Sequence, residues 1–309
     1  MNSLELWNKF EDLKKLVLEE GLDAKKELDK LEEKIQTGSH MEATWRLVEL
    51  ARHQDRPYAL DYIQRIFEGF IELHGDRYFG DDAAIVAGIG FLDGQPITII
   101  ANQKGRTLKE NMHRNHGMAN PEGYRKALRL AKQAEKFHRP IVTFVDTAGA
   151  YPGLGAEERG IGEAIACNLK EFSQLKTPIV CIIIGEGGSG GALGLCVGDK
   201  VYMLENAIYS VISPEGGASL LLRDVSKAKD AAAMLRITSK DLMEFKMVNG
   251  VIPEPPGGAH TDPDASAALI KEILMRDIKD LSTRNPSVLV RYRNQKIRKS
   301  GMWYEDAGV

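Results

Sequence analysis

Cysteine is scarce in this chain, with Cys167, Cys181 and Cys196 the three present among 309 residues. They form no C-x-x-C pair and stand in apolar runs. That excludes a disulfide framework or a zinc site and points to buried thiols of a reducing compartment. Long hydrophobic runs are also missing: the longest, Ile179 to Ile184, is far short of the ~20 residues that span a bilayer. Charge of one sign is absent as well. Lys and Arg total 41 against 44 Asp and Glu, a net charge of −3, so nothing favours nucleic acid or an anionic membrane as partner. Charged residues recur from Glu5 onward, unlike a secretory leader. The expectation is a soluble, cytoplasmic protein. With 43% hydrophobic and 28% charged residues, the composition is that of an ordinary globular chain.

The first 36 residues read differently from the rest. Leu6, Phe10, Leu13 and Val17 follow helical spacing, as do Leu28, Leu31 and Ile35, while Gly21 can end one helix and Asp23 can cap the next. This predicts a helical hairpin arm over 1–36, followed by a linker over 37–42 at Thr37-Gly38-Ser39-His40-Met41. From Ala43 to about residue 285 the pattern is mixed α/β, and 286–309 reads as a helical tail. Tyr58 to Leu73 reads as a helix, and Asp93-Gly94 between two apolar runs is a hairpin signal. Strands are then expected at Pro140–Asp146, Pro178–Ile184, Lys200–Leu204 and Tyr209–Ile212. Helices are expected at Glu157–Leu175, from about Ser189, and at Ala218–Leu222, Lys227–Leu235, Lys240–Lys246 and Asp264–Leu281. Short apolar strands alternating with helices imply a buried parallel sheet, by this reading alone doubly wound.

Two glycine-rich elbows leave the carboxyl ends of strands, where ligands bind in α/β sheets. One is Asp146-Thr147-Ala148-Gly149-Ala150-Tyr151-Pro152-Gly153-Leu154-Gly155, the other Gly185-Glu186-Gly187-Gly188-Ser189-Gly190-Gly191-Ala192. Glycine lets backbone approach a ligand, and amides at a helix start point outward without intrahelical partners. Two such amides aimed at one point make an oxyanion hole. The second elbow also satisfies other patterns. Gly185, Gly187 and Gly190 match the dinucleotide pattern G-x-G-x-x-G, with Glu205 some twenty residues on. Gly187, Ser189 and Gly191 match the nucleophile elbow G-x-S-x-G of serine hydrolases, with Asp241 and His260 following in the usual order. On the motifs alone all three readings stand.

Taken together, the chain resembles a known family. Gln103-Lys104-Gly105-Arg106, Pro121 to Leu130, both elbows, Tyr209 to Gly216 and Ile252-Pro253-Glu254-Pro255 recur in that order in the α subunit of bacterial acetyl-CoA carboxylase carboxyltransferase. The resemblance runs from about Trp45 to Leu281 and implies a crotonase-like fold, a spiral of ββα units with outer helices. Ala148 stands where many relatives have proline, and supplies the same backbone position to the turn.

The resemblance implies a reaction: the carboxyl group of carboxybiotin, carried on the biotin carboxyl carrier protein, moves to acetyl-CoA and gives malonyl-CoA for fatty acid biosynthesis. Biotin carboxylase consumes the ATP, and this chain lacks the phosphate-loop pattern G-x-x-x-x-G-K-[ST]. By resemblance the Gly190 and Gly191 amides serve the biotin ureido oxygen. The second oxyanion hole and the zinc are expected on a separate β subunit, in an α2β2 assembly active only as a whole. That division accounts for the lack of an obvious catalytic acid or base, since oriented amides and a well-placed biotin suffice. Gly149, Ala150, Gly187, Gly188 and Ser189 are the further expected substrate contacts, with Tyr151 and Pro152 as a wall of the biotin site. Lys104 and Arg106 are expected to meet coenzyme A phosphates or the carrier. Arg125 and Arg129, one helical turn apart, read as a solvated face.

Overall fold

The computed structural model describes residues 3–19 and 25–301. The Gly21 and Asp23 caps expected between the first helices lie outside the described residues. The chain begins with α1 (Ser3–Glu19), α2 (Lys25–Ala51) and α3 (Ala59–Ile66), then β1 (Glu68–Glu72), β2 (Ile85–Leu92) and β3 (Gln95–Asn102). Next come α4 (Leu108–His113), α5 (Pro121–Lys136), β4 (Ile141–Thr147), α6 (Leu154–Glu158), α7 (Ile161–Gln174) and β5 (Ile179–Gly188). After these come α8 (Ser189–Leu193), β6 (Lys200–Leu204), β7 (Ile208–Ser210), α9 (Pro214–Gly217), α10 (Ala228–Leu235) and α11 (Ser239–Glu244). The last are β8 (Gly250–Ile252), α12 (Pro263–Ser282) and α13 (Pro286–Lys299).

The chain divides into two compact units, one of residues 1–46 and 214–235, the other of 47–213 and 236–309. In the first, Phe10 and Ile35 are buried, Lys14 pairs with Glu32 at 3.6 Å, and Lys229 with Glu42 at 2.9 Å. The expected linker is helix: α2 runs through Thr37 to Met41 without a break. A single glycine costs a helix interior about 1 kcal/mol, and Gly38, with no proline nearby, does not stop it.

The second unit holds a mixed sheet in the order β1-β2-β3-β4-β5-β6-β8, with β7 paired to the end of β5. The order follows the chain, without the reversal of a doubly wound sheet. Strands β1 to β3 are antiparallel, joined between β2 and β3 by a two-residue turn in which Asp93 and Gly94 both have positive φ. From β3 onward the ladder is parallel. Every residue of β4 is buried, as expected for a strand covered on both faces. The predicted helix over Tyr58 to Leu73 stops at Ile66, where Phe67 turns extended; Gly69 is left-handed and lies in β1. That over Glu157 to Leu175 is broken by left-handed Gly160 into α6 and α7. Helix α13 is fixed through buried Arg293, which donates to the Phe172, Leu175 and Thr177 carbonyls and pairs with Asp199.

Candidate functional site

The two elbows emerge side by side because β4 and β5 are parallel neighbours. Their register runs Val145 opposite Ile183, then Thr147 opposite Gly187, so β5 carries two extra residues in a bulge over Ile184–Glu186. Side chains take up the displaced backbone groups. The Arg56 guanidinium donates to the Ile184 carbonyl at 2.7 Å, and the Glu186 N–H donates to the Asp146 carboxylate at 2.9 Å.

Beyond the bulge the elbows touch backbone to backbone. A Cβ on Gly188 would lie 2.0 Å from the Ala148 carbonyl oxygen, and one on Gly191 would lie 2.3 Å from the Gly149 carbonyl carbon. A Cβ on Gly185 would lie 2.5 Å from the Asp146 carboxylate. These glycines at every third position are what let one elbow rest on the other. Gly187 is covered by the Tyr209 ring. So Gly187 and Gly188, expected to contact substrate, are buried packing positions, while Gly149 has open space on its Cα.

At Ser189, in the left-handed region with φ of 50°, strand turns abruptly into helix α8. The amides that open a helix have no carbonyl behind them, so those of Gly190 and Gly191 are free of intrahelical acceptors. Ser189 and Gly190 border an open cleft of about 210 Å³, whose other lining residues are Leu193, Tyr209, Ser210, Val211, Leu242 and Met247. Its wall is mainly apolar and contains no ionised side chain. Burial pushes the Tyr209 phenol well above its ordinary pKa, so that group stays neutral. The elbow residues Gly149 to Pro152 are not among those lining this cleft.

The basic residues are engaged within the chain. The Lys104 ammonium, just beyond the end of β3, donates to Asp146 at 2.7 Å and to Glu186 at 3.2 Å. Arg52 meets the other Glu186 oxygen at 2.7 Å. Burial works against the Lys104 ammonium, but the two carboxylates outweigh it and hold its pKa above the ordinary lysine value. Burial likewise raises the Glu186 carboxyl, yet Lys104 and Arg52 bring it below the ordinary range. Arg106 stacks over Tyr58 at 4.0 Å, donates to the Gln54 and Arg56 carbonyls and pairs with Asp61. Arg125 pairs with Asp76 and Glu122, and Arg129 donates to the Gly75 and His74 carbonyls. The expected solvated face is instead tied to the loop before β2. Lys104 and Arg106 do not line the cleft either.

The rival motif readings do not assemble. Asp241 accepts from Thr238 in a helix cap and pairs with Arg236. His260 stacks on His53 with ring centroids 3.9 Å apart, its Nδ1 buried without a hydrogen-bond partner. Neither lines the cleft beside Ser189, so among the described residues neither is placed as a base for that hydroxyl. As for a dinucleotide, α8 is only five residues long, and Glu205 accepts the Glu254 N–H. Sequence reasoning missed Leu242 and Met247, which reach the cleft from α11 and the loop after it, and the carboxylates Asp146 and Glu186 as the elbows' fastening. An acidic residue in each elbow, with the conspicuous Lys104 to balance them, was the available signal for the latter.

The overall fold is shared with solved structures. The chain matches a Pseudomonas malonate decarboxylase hetero-tetramer in complex with coenzyme A with a TM-score of 0.60 and 18% identity, over 77% of this chain and 95% of that one. It matches transcarboxylase 12S, solved with methylmalonyl-coenzyme A and methylmalonic acid bound, with a TM-score of 0.57 and 21% identity, over 71% of this chain and 41% of that one. The fold is thus crotonase-like. At the level of sequence, the family model described as acetyl co-enzyme A carboxylase carboxyltransferase-like matches residues 2–301. The carboxyl transferase subunit alpha of acetyl-coenzyme A carboxylase from Treponema denticola is 64% identical over 99% of this chain and 100% of that one. The same subunit from Halalkalibacterium halodurans is 51% identical over 96% and 93%. The chain belongs to this acetyl-CoA carboxylase carboxyltransferase family.

Proposed function

We propose that this chain is the α subunit of an acetyl-CoA carboxylase carboxyltransferase. With a β subunit it moves the carboxyl group of carrier-bound carboxybiotin to acetyl-CoA and forms malonyl-CoA. The observation that carries the reading is the placement of Gly190, at the start of α8, on the rim of an uncharged cleft. The cleft fits the group: Leu193, Val211, Leu242 and Met247 offer apolar surface to a fused ring system, and the helix-start amides offer donors to a ureido oxygen. When bound, carboxybiotin supplies the carboxyl group, and the ring nitrogen released from it supplies the base.

The chain's own contribution is positional. The Gly190 and Gly191 N–H groups donate to the oxygen on which negative charge grows, and do so more strongly as it grows. Leu193, Val211 and Met247 keep water off that oxygen, which strengthens the same bonds. No side-chain acid or base is required of this chain, in keeping with a cleft lined without one. The biotin carboxyl carrier protein and biotin carboxylase are the further partners, and the cytoplasm the expected compartment. The purified chain, mixed with its β subunit, carboxybiotin and acetyl-CoA, is expected to form malonyl-CoA, and neither subunit alone to do so. Turnover by this chain without β, or none by the assembled pair, overturns the reading.

A further inference from the structure

We propose that Glu186 and Lys104 are positioning residues: the charged clasp they form at the bulge in β5 sets the aim of the Gly190 and Gly191 amides. The proposal rests on the function just given. Its observation is independent of that function, namely how the sheet's irregularity is held.

A parallel ladder satisfies backbone groups by itself. Where β5 gains two residues against β4, the ladder is interrupted and the freed groups need other partners. Here they are charged side chains from different elements. Arg56, just after α2, takes the Ile184 carbonyl; Asp146 of β4 takes the Glu186 N–H. Glu186 in turn bridges Lys104 beyond β3 and Arg52 beyond α2. The Lys104 ammonium closes the ring by donating to the same Asp146 oxygen that receives the Glu186 N–H.

Glu186 is three residues before Ser189 and four before Gly190. The intervening Gly187 and Gly188 carry no side chain that could fix the direction of the turn, and they pair only with the short β7 and the first elbow. The orientation of α8 is therefore set jointly by Glu186 and by the seating of Gly191 on the first elbow. Both ends of Glu186 are fastened, its N–H to Asp146 and its carboxylate to two cations. If this fastening serves only stability, a simpler ladder without a bulge would serve as well. Bulges beside active sites re-aim the residues after them.

The test uses the assembled complex with β, in which Glu186→Gln keeps the side-chain shape but cannot balance Lys104 and Arg52. The readouts are kcat and KM for both substrates, with the melting temperature measured alongside. A misaim of about 1 Å costs on the order of a hundredfold in rate. We expect kcat to fall roughly 10- to 100-fold with both KM values within about twofold, since the cleft walls are untouched. Lys104→Met should give a similar fall, and the double variant little more than either single one, as groups that act together are not additive. Glu186→Asp keeps the charge on a shorter arm and should recover part of the lost kcat. Wild-type kcat in assembled Glu186→Gln, or a lower melting temperature with unchanged kcat, overturns the proposal. If Glu186→Gln does not assemble, Glu186→Asp decides in its place: lowered kcat at constant KM supports the proposal, wild-type kcat refutes it. A wild-type complex with no carboxyl transfer would strike at the proposed function instead.

Discussion

Replacing Gly191 by alanine adds one methyl group, and the structure gives a definite account of where it goes. The new Cβ would not enter the cleft. It would lie 2.3 Å from the Gly149 carbonyl carbon, 2.5 Å from the Ala150 nitrogen and 2.7 Å from the Gly149 oxygen. All three atoms are backbone of the first elbow, and none can swing aside as a side-chain tip can. Ordinary carbon contacts begin near ~3.5 Å, so the elbows must part by about 1 Å. Overpacking of this kind costs roughly 1–3 kcal/mol. The same displacement carries the Gly190 and Gly191 amides off their target, worth about a hundredfold in rate. The control is Gly162→Ala, in helix α7, where nothing lies within 4 Å of the added carbon. It should leave stability unchanged or raise it by about 0.4–1 kcal/mol. Denaturant unfolding of both variants, with malonyl-CoA formation by each complex, gives the comparison. Gly191→Ala with wild-type stability and turnover would refute the interlocked-elbow account.

Ser189→Ala should cost the complex less than about twentyfold in rate, as the hydroxyl contributes at most one ordinary hydrogen bond of ~0.5–1.5 kcal/mol. A fluorophosphonate probe should leave wild-type Ser189 unlabelled, and a stoichiometric adduct would restore the hydrolase reading. Glu254→Gln removes the charge that holds buried Arg56 through two short bonds of 3.0 and 2.6 Å, and breaking such a pair costs about 3–5 kcal/mol. The pH dependence comes from the same pair. Burial raises the Glu254 carboxyl, but Arg56 and Asn206 more than reverse this and hold it below its ordinary 4.5. A carboxyl depressed on folding stabilises the fold above the unfolded-state pKa, and that stability is lost as pH falls through the folded value. Urea midpoints should therefore show a shallower decline below about pH 4.5 in Glu254→Gln than in wild type. Parallel declines would remove Glu254 from the acid limb.

Elements whose identity is set locally were legible in the sequence. The Asp93-Gly94 turn, the apolar runs of β4 and β5 and the long periodic helix α12 needed only neighbouring residues to fix them. The failures came where residues outside the local stretch decide. Phe67 to Glu72 has enough apolar residues for a helix, yet β2 offers them an edge and β1 forms there. Thr37 to Met41 has the composition of a linker, yet helix on both sides carries through it. The glycine elbows were legible as a pair, but not the division of labour among their glycines. Gly185, Gly188 and Gly191 face the other elbow and Gly187 faces Tyr209. Which glycine faces a ligand and which a neighbouring backbone depends on the register of β4 against β5. A bulge shifts that register, and one sequence does not announce a bulge.

The same reasoning bears on the basic residues. A lysine and an arginine after a strand end suggest a phosphate receptor when read alone. In the fold, Lys104 already balances Asp146 and Glu186, Arg56 balances Glu254, and Arg106 is held by Asp61 and two carbonyls. Turning Lys104 toward a phosphate would leave buried Asp146 without its cation and Glu186 with Arg52 alone, and losing one partner of such a buried pair costs about 3–5 kcal/mol. A phosphate contact in a solvated groove returns less than that. The clasp is thus worth more to the chain closed than opened toward a polyanion. Beside it, the cleft at Gly190 offers amides and apolar surface with no fixed charge. A wall without fixed charge offers no counter-charge to a polyanion such as coenzyme A's phosphates, and under the proposed function it suits a neutral ring whose oxygen becomes negative only during reaction. This is the combination that the proposed carboxybiotin half of the transfer asks of this chain.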